Sequence, residues 1–112
     1  PTVSNQTKVE VYYFHYTRRC PTCEAVESET QKFVATQYAN DIKAGKLKFI
    51  SVNLDDKNSK NIAAKCKVEG QSLLVIGKGK RIDLTDTGFM YARTKPEKLK
   101  EELKKAIDPL LK

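Results

Sequence analysis

No stretch of this 112-residue chain approaches the roughly 20 consecutive apolar residues that a membrane-spanning helix needs, so membrane insertion is not expected. Cysteine is scarce: three residues, too few and too unevenly placed for a disulfide framework. There is one histidine and no second CxxC, so a closed four-ligand zinc site would have to enlist every one of them. No GxGxxG is present, which leaves nothing recognisable for a nicotinamide or flavin dinucleotide. Repeats, low-complexity tracts and linkers are missing too, and the length fits one domain, residues 8–112, behind a polar tail at residues 1–7.

Charge is plentiful. Lys and Arg number 21 against 14 Asp and Glu, a net of +7. The lysines are dispersed and interleaved with glutamate, without the aromatic-basic surface that reads nucleic acid. The excess is therefore read as a solvated surface, with no nucleic-acid partner and a monomeric state. The chain begins at Pro1. A cleaved export signal would explain that start and the polar tail, and together with the resemblance given below it favours a bacterial envelope or periplasm over the cytoplasm.

What the chain does contain is Arg18-Arg19-Cys20-Pro21-Thr22-Cys23, between an apolar β-like run and a long helical pattern. Pro21 suits the first helical position, where its missing N–H is no loss. Cys20 then falls at the N-cap, facing outward, with Cys23 one turn in. Unpaired N–H groups and the positive dipole end at a helix start favour an anion, and it is the thiolate that attacks disulfides. Arg18 and Arg19 should lower the Cys20 pKa further, with Glu24 and Glu27 opposing.

Around this stretch the pattern predicts a strand over Lys8–Tyr16, apolar enough to be central, with His15 near the cysteines as a packed or proton-transferring group. A helix over Pro21–Lys43 follows, carrying Val26, Thr30, Phe33, Val34, Gln37, Tyr38 and Ile42 at three- and four-residue steps. It would run roughly 35 Å, long enough that its far end should overhang or bend, and Gly45 stops it. Leu47–Leu54 is a second strand, Ser59 caps a helix to about Lys67 with Cys66 inward, and Ser72–Ile76 and Arg81–Thr85 flank a hairpin turn at Gly77–Lys80. Asp86–Arg93 reads as an irregular segment with an apolar centre. Thr94-Lys95-Pro96-Glu97 reads as a capping box for a last helix to about Ile107, closed by Pro109.

A strand delivering CxxC to a helix start, a βαβ unit, a hairpin and a closing helix resembles the thioredoxin family over about Lys8–Leu111. The block from Tyr12 to Cys23 is similar to that of small bacterial thioredoxin-like proteins with a TRRC-x-TC sequence, many of which are named as subunits associated with nitrophenyl-compound nitroreductase. The resemblance implies an α/β, β-α-β-α-β-β-α fold with a four-stranded mixed sheet flanked by helices. It implies a thiol–disulfide oxidoreductase acting on a protein dithiol or disulfide, in which Cys20 attacks and Cys23 resolves. Its redox group is the Cys20–Cys23 disulfide, with no other cofactor and no metal. Residues expected to tune the pKa or line the substrate are Arg18, Arg19, Pro21, Thr22, His15, Gln71 and Ser72. The chain departs from the family at three places: Ser72 stands where a cis-proline is usual, Phe14 where a buried aspartate is, and Arg19 where a tryptophan precedes the first cysteine. A trans bond is expected at Gln71–Ser72, and Cys23 would lose its proton to water, His15 or Glu24. Two other functions remain open on the residues alone: thiolate metal binding, and a non-catalytic interaction module with a structural disulfide.

Overall fold

The computed structural model describes residues 8–111; the tail at residues 1–7 lies outside them. Strand β1 (Val9–His15) is the centre of the sheet. Strand β2 (Leu47–Asn53) pairs parallel to it on one side, with Val9 opposite Leu47 and His15 opposite Asn53. Strand β3 (Ser72–Gly77) pairs antiparallel on the other side and carries β4 (Lys80–Asp83) at its outer edge, giving the order β2-β1-β3-β4. The run Val11–Phe14 is buried throughout, as a strand covered on both faces must be. Lys78 and Gly79 turn the hairpin with φ of 49° and 74°, the left-handed pair of a two-residue type I′ turn.

Alternation in β1 sorts the core into two parts. Val9, Val11 and Tyr13 join Val26, Val34, Leu99, Leu103 and Ile107 of the helices on one face. Tyr12 and Phe14 join Leu74 and Cys66 on the other, with Ile50, Val52, Leu54 and Ile62 packed against them. Helix α5 (Pro96–Leu111) buries Leu99, Leu103, Ala106, Ile107 and Leu110, one apolar stripe at helical spacing.

Four local expectations are corrected. The long helix is two: α1 (Pro21–Gln37) and α2 (Ala39–Lys43), broken at Tyr38, whose φ of −116° and ψ of 30° leave the helical basin. Tyr38 is held there by its hydroxyl, which donates to Asp108 Oδ1 of α5 at 2.6 Å. The redirection leaves Gln37 and Ile42 exposed rather than inward. Helix α3 (Lys60–Lys65) has Ser59 at its N-cap, as expected, but the Ser59 hydroxyl donates back to the Asp56 carbonyl instead of capping, and the helix follows a 3₁₀ turn over Lys57–Ser59 that Asp56 caps by accepting from Asn58 N–H. The Thr94 hydroxyl donates to the Met90 carbonyl, so no capping box forms and α5 begins behind Lys95. Pro109 sits inside the last turn of α5 instead of ending it at Ile107.

The largest difference is α4 (Thr85–Tyr91), in the segment expected to be irregular. Thr85 anchors its start. Its N–H and hydroxyl donate to Asp83 Oδ1, and its hydroxyl oxygen accepts from Leu73 N–H at 3.0 Å. At Gly88, a Cβ would lie 3.2 Å from side-chain atoms of Leu73 and Val26. The residue that most weakens the helical pattern is thus the one that lets this helix press against β3 and α1.

Candidate functional site

Cys20 is the N-cap of α1, with an extended backbone (φ −110°, ψ 163°). Its carbonyl accepts from Glu24 N–H at 3.0 Å and its Sγ accepts from Cys23 N–H at 3.2 Å. A sulfur therefore occupies the place that a Ser or Asp oxygen usually takes at a helix start. Pro21 is the first helical residue, as the sequence requires. Cys20 is exposed and Cys23 is buried at 4% exposure, and both are free thiols.

The two thiols are pushed in opposite directions. The hydrogen bond with Cys23 lowers the Cys20 pKa, with help from the backbone N–H groups of Cys23 and Thr22. Burial raises that of Cys23, and the neighbouring Cys20 sulfur adds to it. Cys23 is held from two sides. Its Sγ–H donates to Gln71 Oε1 at 2.8 Å, and its carbonyl accepts from the buried Tyr13 hydroxyl at 3.1 Å. Burial raises the Tyr13 pKa above the usual range, so the phenol stays a donor.

The arginines divide. Arg18 is exposed on the loop. Arg19 forms an ion pair with Glu27, both partly buried, and what lowers the Cys20 pKa is the Cys23 thiol first and the helix N–H groups second, in place of the guanidinium expected. Glu27 also accepts from the Ser51 hydroxyl at 2.6 Å. Ser51 has a single hydroxyl hydrogen, so His15 Nε2, 2.9 Å from Ser51 Oγ, is the donor in that contact. His15 Nδ1 lies 3.0 Å from the Tyr16 carbonyl and 3.3 Å from Arg19 Nε. His15 thus belongs to an Arg19–Glu27–Ser51 network and makes no hydrogen bond to either sulfur among the described residues.

The Gln71–Ser72 bond is trans, no cis peptide occurring among the described residues. Ser72 pairs with Phe14 in the β1–β3 register, which sets two of the family departures side by side. The Ser72 hydroxyl donates to the Gly70 carbonyl at 2.9 Å. On the other side of the sulfurs, Arg93 Nη1 reaches Thr22 Oγ1 at 3.4 Å. Tyr13, Ser51 and Arg93 are site residues that the sequence does not single out, whereas Glu27, expected to oppose the two arginines, pairs with Arg19. Arg93 carries no signal in the sequence, because Asp86–Arg93 has no helical pattern to place it.

Among the described residues, no three His, Cys, Asp or Glu side chains cluster as a metal would require. No described helix is long and apolar enough to cross a membrane. An open cleft of about 200 Å³ beside the site is lined by Ser51, Asn53, Asp56 and Asn58, with neither sulfur in its wall. Of the two thiols only Cys20 is open to solvent.

No family model matches the chain, and no curated protein matches it. Solved structures do. Trxlp from Edwardsiella tarda EIB202 superposes with a TM-score of 0.58 at 19% identity, covering 89% of this chain and 85% of that one. A malarial protein gives 0.54 at 19% identity over 89% and 98% of the two chains. Thioredoxin from Trypanosoma brucei brucei gives 0.50 at 20% identity over 91% and 80%. With the mixed four-stranded sheet, the flanking helices and two cysteines at the start of α1, these likenesses show that the chain has the thioredoxin fold.

Proposed function

We propose that the protein is a thiol–disulfide oxidoreductase acting on protein disulfides. The observation that carries this is the Cys20 sulfur, open to solvent and capping α1 beside a second thiol. In the forward step the Cys20 thiolate attacks one substrate sulfur. A Cys20–substrate bond forms, the substrate S–S bond breaks, and the leaving thiolate takes a proton from water. Cys23 then gives up its proton, attacks the Cys20 sulfur and expels the second substrate thiolate. Two electrons pass to the substrate and the Cys20–Cys23 disulfide remains, to be reduced again by a dithiol donor. Run backwards, the same steps oxidise a substrate dithiol.

Gln71 shapes the direction. It hydrogen-bonds the Cys23 thiol and so favours the reduced form, as does any group that lowers the Cys20 pKa. Both push the couple towards the oxidising end. No cofactor beyond the cysteine pair is needed, and residues 8–112 act as one domain and as a monomer. The likeness of its TRRC-x-TC block to small bacterial thioredoxin-like proteins supports this reading, and no nitroreductase role is drawn from it.

The test pairs the pH dependence of Cys20 alkylation with equilibration of the couple against glutathione. A midpoint below the ordinary thiol value of about 8.5, together with reversible exchange, supports the reading. A Cys20 that titrates as a free thiol, with no exchange, overturns it in favour of a structural cysteine pair.

A further inference from the structure

The unexpected helix α4 builds a wall beside the sulfurs. Val26 of α1 meets Gly88 of α4. One turn towards the start of α1, Thr22 meets Arg93, just past the end of α4. The two helices therefore approach with the C-terminal end of α4 beside the N-terminal end of α1. Met90, three residues before Arg93, is 60% exposed. The Thr94 hydroxyl, bonded to the Met90 carbonyl at 2.9 Å, fixes this end of the helix.

The charges on this surface are unequally committed. Arg19 is neutralised by Glu27. Asp55 accepts from Thr17 N–H and Asp56 caps the 3₁₀ turn. Arg18 and Arg93 are exposed on either side of the CxxC segment, and neither has a carboxylate partner among the described residues. Glu24, exposed in the first turn of α1, opposes them.

We propose that Met90 and Arg93 form a docking rim for the disulfide partner, and that the partner presents a carboxylate and an apolar side chain beside its cystine: an acidic, extended polypeptide segment. This rests on the exchange reading above, because attack by Cys20 brings the residues flanking the substrate sulfur onto the neighbouring surface. Arg93 offers a planar fork suited to a carboxylate. Met90 is an unbranched, adaptable apolar contact, and Met and Arg are both enriched at interface cores.

Two peptides that differ only in flanking Glu-Leu or Lys-Leu, each carrying a 2-pyridyl disulfide, test this by release of thiopyridone. The wild type should react with the acidic peptide about fivefold faster at low salt, the upper range for one exposed charge pair, with the preference shrinking as salt rises. Arg93→Glu should reverse the preference and Met90→Ser should slow both peptides. Lys48→Glu makes the same charge change far from the sulfurs, near the N-terminal end of β2, and should leave the preference intact. Equal acidic-to-basic ratios in wild type and Arg93→Glu overturn the proposal. A Cys20→Ser/Cys23→Ser double variant, tested for binding thiol-free versions of both peptides, separates the two readings. Discrimination there without thiopyridone release in the wild type keeps the rim and defeats the exchange reading; release without discrimination does the reverse.

Discussion

Cys20 and Cys66 sit at opposite ends of two helices, and their chemistry differs accordingly. Cys20 is the N-cap of α1, exposed, with a backbone N–H aimed at its sulfur and a lowered pKa. Cys66 is the C-cap of α3 and is 4% exposed. Its carbonyl takes a hydrogen bond from Arg81 Nε at 2.8 Å, while burial first and then the Glu10 carboxylate raise its thiol pKa. A helix start converges donors on a sulfur, whereas a helix end turns carbonyls outward and gives an anion nothing. A thiol becomes a nucleophile through its place on a helix and its access to water.

The sharpest break of this contrast is substitution. Cys20→Ser should abolish disulfide exchange and Cys23→Ser should accumulate mixed disulfides, whereas Cys66→Ala should leave exchange within about twofold of wild type, since Cys66 is inert and buried. An insulin-reduction assay with non-reducing gels reads all three. Next comes labelling. In the folded protein at pH 7, Cys20 should alkylate at least about a hundredfold faster than Cys66, which must await opening of the fold; peptide mapping of the iodoacetamide adducts measures the ratio.

Gln71→Ala should make the Cys20–Cys23 couple more reducing by about 20 mV, the equivalent of losing a hydrogen bond of about 1 kcal/mol to the reduced form. A glutathione titration checks it, and a shift in the opposite direction would remove Gln71 from the mechanism. The smallest effect is on stability. The raised pKa values of Cys23 and Cys66 stabilise the fold below the ordinary thiol value of about 8.5 and lose that contribution as pH rises through the folded values. Cys20, lowered, acts in reverse: its contribution is present above the ordinary value and lost as pH falls through the folded one. Cys66→Ala should cost about 1 kcal/mol at neutral pH through lost packing and flatten the decline in urea-unfolding midpoint above pH 9.

Most of the fold was legible because its signals are local. The apolar run of β1, Pro21 behind Cys20, and the Leu99–Leu103–Ile107 stripe each report a conformation that neighbours along the chain already favour. The break at Tyr38 was only half legible. Helix length implied a bend, but its place depends on Asp108, 70 residues away. Helix α4 was illegible because Thr85-Asp86-Thr87-Gly88 is a weak helix former, and packing of Gly88 against Val26 and Leu73 overrides that preference.

At the site, the chain by itself determined that two thiols one turn apart begin a helix, because proline and cysteine spacing act within a few residues. Only the tertiary structure decided that Arg19 serves Glu27 instead of Cys20, that Gln71 holds Cys23, and that Arg93 stands beside Thr22. Each of these joins residues from different elements. Their charges and hydrogen bonds take effect only over a few ångströms, a separation that folding sets and sequence distance does not.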